Sequence, residues 1–191
     1  MQVDQNTDQN QPQSDRRTLI ASARKDAHAF RGAFLDKFAR LERSLGPVLV
    51  VAASMPEYAG VASKLPHLLG QKTATLRKIA EAEGPLKTQA ANLVPQLDGL
   101  SKFEDMRNFM AHGVLEVAWT EHDEVLYVFR MLKLAKGQTE PVELLKSRDE
   151  ARVIGADLGK IINALTRDLD AIAKKHSAKV TAMPAATKPT R

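Results

Sequence analysis

Arg107, Asn108 and His112 bring a fixed cation, an amide and a titratable imidazole together in the run Arg107-Asn108-Phe109-Met110-Ala111-His112-Gly113. On a helix, Asn108 and His112 share one face, and Arg107 lies about 140° round the axis from His112. Asp105 and Glu104, one helical repeat further back, can join that face as weaker substrate-binding candidates. An imidazole that titrates near neutrality can take or give a proton, and a guanidinium can hold a phosphate through two parallel hydrogen bonds. Metal-free cleavage of RNA asks for these groups: a 2′-hydroxyl must lose a proton, a phosphorane must be stabilised, and the leaving oxygen must gain a proton. One helix does not supply every group, whereas a second copy facing it across a two-fold axis would. Gly113 removes a side chain next to the imidazole, leaving room for another backbone or a ligand. Spacing alone also allows the plainer reading, in which Arg107 and His112 cap or pair within a helical fold.

The remaining residues offer little competing chemistry. Of the five histidines, His28, His67 and His176 read as surface or capping residues on helices. His122 stands among Glu121, Asp123 and Glu124, but adjacent turn residues seldom converge on one cation, so a solvated acidic turn is expected. No HExxH, His pair at metal spacing, phosphate-binding glycine loop or dinucleotide fingerprint occurs, and neither a metal nor a cofactor is expected. Ser54 and Ser63 lack the strained-elbow context of a hydrolase nucleophile. Cysteine is absent, which excludes a disulfide scaffold, a thiolate metal site and a thiol nucleophile, and fits a reducing cytoplasm.

With 191 residues, 43% hydrophobic and 27% charged, the chain can bury a real core as one domain with tails. The net charge of +5 is local. Lys174, Lys175, Lys179, Lys188 and Arg191 follow the last acid, Asp170; without those five, the 28 Lys and Arg match the 23 Asp and Glu. The basic end can add non-specific affinity for nucleic acid or can serve only to solubilise the chain. Residues 1–14 are Gln/Asn/Asp-rich without an apolar core, unlike a targeting peptide, and Val48 to Ala53 is too short an apolar run to cross a bilayer. A soluble, cytoplasmic protein with no membrane partner is therefore expected.

The elements that must position Arg107 and His112 follow from periodicity. Ile20, Ala23, Ala27, Phe30, Phe34, Phe38, Leu41 and Leu45 recur in steps of three and four, predicting a long helix that Gly46-Pro47 ends. Val48 to Met55 is ambiguous between strand, loop and helical turn. A second helix is predicted over Leu65 to Glu83, with Gly84-Pro85 as terminator, and a third from Leu86, broken near Pro95 and Gly99. Ser101-Lys102-Phe103-Glu104 matches a capping box opening the helix that carries Arg107 to His112, with Leu100, Phe103, Met106 and Met110 inward. Val117, Trp119, Val125, Tyr127 and Phe129 alternate around a polar turn, predicting a short hairpin, and Lys133 to Glu140 reads as loop. Ser147-Arg148-Asp149-Glu150 is a second capping box, opening a last helix that runs to about His176. The expected fold class is all-α: an up-down bundle of about four main helices with a small β-hairpin before the last. Its domain organisation is a disordered tail (1–15), a helical domain (16–176) and a disordered basic tail (177–191).

RNFMAHG, after a capped helix and before a long final one, resembles the signature of the HEPN family of helical-bundle proteins: an arginine, a polar residue that is often asparagine, a short spacer and a histidine. The long first helix with Phe30, Phe34, Phe38 and Leu41-Glu42 is similar as well, and the likeness runs from about Arg16 to His176. The resemblance implies a homodimer whose two motifs meet at the interface as a metal-independent endoribonuclease. Such proteins often serve toxin–antitoxin or phage-defence systems, with RNA as substrate and an antitoxin protein as partner. It also implies that Arg107 and His112 are catalytic and that Asn108 positions or polarises them. The alternative within the family is a non-catalytic module that binds nucleotide or RNA, or another protein.

Overall fold

Gly46-Pro47 does not end the first helix. In the computed structural model, which describes residues 11–62, 65–122, 124–135 and 137–180, α1 spans Gln11–Ala53 with Pro47 inside it. A proline in a helix interior removes one backbone hydrogen bond and costs about 3 kcal/mol. Here Leu41, Leu45, Val48, Leu49 and Ala52 are all buried on both sides of it. One apolar face crosses the proline without a break, and burying it outweighs the lost bond. The ambiguous stretch from Val48 is thereby helical up to Ala53, and a 3₁₀ turn follows at Pro56–Tyr58.

The chain continues through α2 (Leu69–Glu81), α3 (Lys87–Ala91), α4 (Val94–Ser101) and α5 (Glu104–His112). Next come strands β1 (Val114–Trp119), β2 (Val125–Ala135) and β3 (Gln138–Ser147), and then α6 (Arg148–Val180). The third helical region breaks where Pro95 demands it, with Pro95 in the first turn of α4.

The all-α expectation is overturned by the strands, which form one antiparallel sheet in the order β1-β2-β3; the fold is mixed α/β. The expected hairpin is present, with Trp119 opposite Val125 and Val114 opposite Arg130. Lys133 to Glu140, read as loop, instead belongs to a second hairpin, in which Lys133 faces Glu140 and Ala135 faces Gln138 across Gly137 (φ +80°). Among the described residues the sheet is buried on both faces only at Tyr127, Val128 and Phe129; beyond them Leu132 and Leu134 are exposed. Backbone pairing holds this outer hairpin, and pairing leaves no hydrophobic period to read. Pro141 is accommodated because β3 pairs on one side only.

The described residues fall into two compact units, and α1 and α6 each contribute to both. The first holds α1 up to Asp36, α5, the sheet and α6 up to Asp157. Its core is aromatic: Phe34 meets Phe30 at 6.0 Å and Phe103 at 6.4 Å between ring centroids, both edge-on. The second holds the rest of α1, α2 to α4 and α6 from Leu158, packed through Leu76, Ile79, Leu93, Leu97, Leu165 and Leu169. There Tyr58 accepts the Leu86 backbone N–H at 2.8 Å, and Gly84 (φ +154°) passes so close that a Cβ would lie 2.6 Å from the phenolic oxygen.

Within each unit α1 and α6 advance together. Asp26 pairs with Arg148 and Phe30 lies against Gly155 in one; Lys37 lies against Gly159 and Arg40 meets Asn163 in the other. The first and last helices therefore run parallel, whereas alternation in an up-down bundle of four would oppose them. The expected tail boundaries also shift: α1 takes in residues 11–15 and α6 continues past His176 to Val180, while residues 1–10 and 181–191 lie outside the described residues.

Candidate functional site

α5 carries the motif, and its ends are built differently from the sequence expectation. Ser101 does not cap it. The Ser101 hydroxyl donates back to the Asp98 carbonyl at 2.7 Å, completing α4, and the N-cap of α5 is Phe103 without a side-chain cap. The Arg107 N–H bonds the Phe103 carbonyl at 2.8 Å, and Glu104 and Asp105 place negative charge in the first turn, where the helix dipole favours it. Phe103 and Met110 are buried and fix which face turns inward; Met106, expected in the same stripe, is half-buried.

The outward face then follows from the helical period. Glu104, Asp105, Asn108 and His112 are exposed, and Arg107 is half-buried at the edge of that face. Among the described residues, no side-chain hydrogen bond or ion pair ties Arg107, Asn108 or His112 to another group of the chain. α5 thus displays the amide, the imidazole and two carboxylates on one side and the guanidinium beside them, without joining any two directly. Glu104 and Asp105 lie about 10–12 Å along the axis from His112.

Two residues set the position of His112, and the sequence reading singled out only one of them, Gly113. Arg31 on α1 donates to the Ala111 carbonyl at 3.4 Å, a cation on the last turn of α5. Nothing marked Arg31 in the sequence, where it is one more basic residue between buried positions of a long helix. Gly113 was expected to leave room beside the imidazole for another backbone or a ligand. It is buried at the junction of α5 and β1, its N–H bonding the Phe109 carbonyl at 2.8 Å. A Cβ at Gly113 would lie 2.5 Å from that carbonyl oxygen and 3.4 Å from the Arg130 carbonyl of β2. The close neighbour is backbone of this chain, and it turns the helix sharply into the sheet.

The other histidines are dispersed. His28, His67 and His122 are exposed, and the turn holding His122 is organised by Thr120, whose hydroxyl accepts the His122 and Glu124 N–H groups at 3.3 and 3.1 Å. His176 is buried and meets Gln89 at 3.1 Å, so it belongs to the packing of α6 and not to a helix end. Among the described residues, no group of three or more His, Asp or Glu is placed to hold a metal ion, and no helix is long and apolar enough to cross a membrane. No protein-family model, curated protein or solved structure matches this chain.

Proposed function

We propose that two copies of this chain form a metal-independent endoribonuclease of the HEPN type, with the α5 helices facing one another across a two-fold axis. The observation that carries this reading is the exposure of Asn108 and His112 beside a half-buried Arg107, none of them engaged within the chain. Had the motif served packing, the imidazole would sit inward with its nitrogens satisfied by neighbours. An unengaged polar stripe next to a cation is what a phosphodiester, or a second copy of the same stripe, would complete.

In this mechanism, the His112 imidazole takes the proton from a 2′-hydroxyl, whose oxygen bonds to the adjacent phosphorus. The bond from phosphorus to the 5′-oxygen breaks, and that oxygen takes a proton from the imidazolium of the second copy. Arg107 holds the non-bridging oxygens, where charge builds in the phosphorane, through its planar fork. Asn108, one turn from His112 on the same face, orients the imidazole or the sugar. Glu104 and Asp105 sit too far along the helix for the reacting phosphate and would accept hydrogen bonds from neighbouring nucleotides. In this reading the substrate is cytoplasmic RNA, and an antitoxin protein that covered α5 would silence the enzyme.

The test is cleavage of single-stranded RNA by the full chain in excess EDTA. The wild type should cut and leave a 2′,3′-cyclic phosphate. His112→Ala should lose about 10²–10⁴-fold in rate, the usual worth of an acid–base group. Arg107→Lys should be severely impaired, because an ammonium lacks the planar fork. Equal cleavage by wild type and His112→Ala, or none by the wild type on a broad RNA panel, would overturn the reading.

A further inference from the structure

Away from α5, Tyr127 carries a polar group without a use. The residue is only 2% exposed, so its ring on β2 is buried, while its hydroxyl makes no hydrogen bond among the described residues and is not one of the fully enclosed polar atoms. A phenol with a buried ring and an open hydroxyl can donate to a ligand. Tyr127 lines an open cavity of about 600 Å³ together with Phe30, Arg148, Asp149, Ala151 and Arg152. That is a common size for a small-ligand site. One wall is aromatic, the Phe30 and Tyr127 rings standing 6.2 Å apart and tilted by 32°. The first residues of the 33-residue α6 add two guanidiniums to the lining, at the positive end of the helix.

The charges at this mouth are arranged and not merely numerous. Asp26 on α1 grips the Arg148 guanidinium. Among the described residues Arg152 pairs with Asp149 alone, at 3.5 Å, with both side chains more than four-fifths exposed, a pairing that solvent screens almost entirely. A ligand phosphate can therefore take Arg152 at little cost while Asp26 keeps Arg148 in place. Burial first, and then the Asp26 carboxylate, push the Tyr127 phenol above its ordinary pKa against the opposing pull of Arg148, so the hydroxyl remains a donor. A bare phosphate would leave the aromatic wall unused, and a neutral ring would leave the arginines unused.

We infer that this cavity binds a nucleoside monophosphate unit, with its base against Phe30 and Tyr127, its phosphate on Arg148 and Arg152, and the Tyr127 hydroxyl donating to the base or sugar. Base–aromatic stacking tolerates any base, so the site selects for the nucleotide and not for its sequence. The unit can be free or can belong to an RNA strand. The site shares no residue with the α5 motif and stands whether or not that motif is catalytic.

The test is calorimetric titration of the full chain with AMP, adenosine, inorganic phosphate and a single-stranded oligoadenylate. AMP should bind once per chain and more tightly than either adenosine or phosphate, which assigns a free nucleotide. Binding of the oligonucleotide without measurable binding of AMP assigns a strand unit and equally supports the site. Arg152→Ala, at an exposed position where folding is not at stake, should weaken binding about tenfold. Tyr127→Phe, checked by its thermal melt, should weaken it about fivefold, and His112→Ala should leave it unchanged. The inference fails if neither AMP nor the oligonucleotide binds at millimolar concentration, if Arg152→Ala and Tyr127→Phe both bind as wild type does, or if His112→Ala abolishes binding.

Discussion

Gly113 shows what a residue type reveals by itself and what it hides. The sequence places a glycine beside His112, and the reason for it is the Phe109 carbonyl four positions back, which a Cβ would approach to 2.5 Å, while the Arg130 carbonyl of β2 stands at the edge of ordinary contact at 3.4 Å. With φ at −76°, the backbone there is open to any residue, so the constraint is contact alone. Gly113→Ala should therefore cost roughly 1–3 kcal/mol by overpacking, a fall of about 2–10 °C in Tm for a chain of this length. Gly32→Ala supplies the contrast: a Cβ there meets nothing within 4 Å in the exposed interior of α1, and helix propensity predicts a gain of up to about 1 kcal/mol. A thermal melt in which Gly113→Ala matches wild type would show that the α5–β1 junction is looser than described. The exposed stripe of Glu104, Asp105, Asn108 and His112 was legible, because a period of 3.6 residues is local information. Arg31 and the cavity at Tyr127 were not, because each depends on residues more than twenty positions apart meeting in space.

At the scale of elements, two identical-looking signals had opposite outcomes. Ser147-Arg148-Asp149-Glu150 folds as a reciprocal cap: the Glu150 N–H reaches the Ser147 hydroxyl at 3.2 Å, and the Ser147 N–H reaches the Glu150 carboxylate at 2.8 Å. Ser101-Lys102-Phe103-Glu104 does not, because α4 still occupies Ser101 and turns its hydroxyl back to Asp98. A capping box needs a serine free to adopt extended backbone; the strand end at Ser147 provides it and a helix end does not. Ser147→Ala should accordingly lower stability by about 1 kcal/mol, whereas Ser101→Ala should change it little. The cap has a pH signature too. The Ser147 N–H and then Lys146 hold the Glu150 carboxyl below its ordinary range. A carboxyl depressed in the folded state binds fewer protons there than in the unfolded chain. Its contribution is present above the ordinary carboxylate range and is lost as pH falls through the folded value. Urea unfolding should show wild type above Glu150→Gln at neutral pH, with the gap closing in acid; a gap that persists at low pH would remove the carboxylate from the cap. Helix positions were readable where buried periodicity marked them, but not past Pro47, where the proline hid the continuation of α1 to Ala53. The outer hairpin escaped because no described side chain from Lys133 to Glu140 is buried.

At the scale of the whole molecule, the charge balance and the motif make different demands. Five of the basic residues cluster from Lys174 onward and leave the rest of the chain with no net charge, so the proposed RNA binding would need a composite site to supply affinity locally. One α5 presents a single Arg107 and a single His112, while the proposed reaction needs a base, an acid and a phosphate clamp at once. The proposed two-fold axis would bring each copy's arginine to the other's histidine, and an isologous contact would repeat that pairing in both directions. Mixing tests this without a structure of the dimer. His112→Ala and Arg107→Ala should each be inactive alone. Combined in equal amounts and allowed to exchange, they should form heterodimers in about half of the population, the statistical share for an isologous pair. Each heterodimer retains one intact arginine and one intact histidine on opposite copies, the clamp and the base without the second copy's acid, so cleavage should reappear only in part, well below wild type and dependent on protein concentration. A site contained in a single chain gives no such rescue, since neither variant ever holds both groups. Silence on mixing, with heterodimers verified by light scattering of differently tagged chains, would confine the chemistry to one copy and remove the reason for α5 to face another α5.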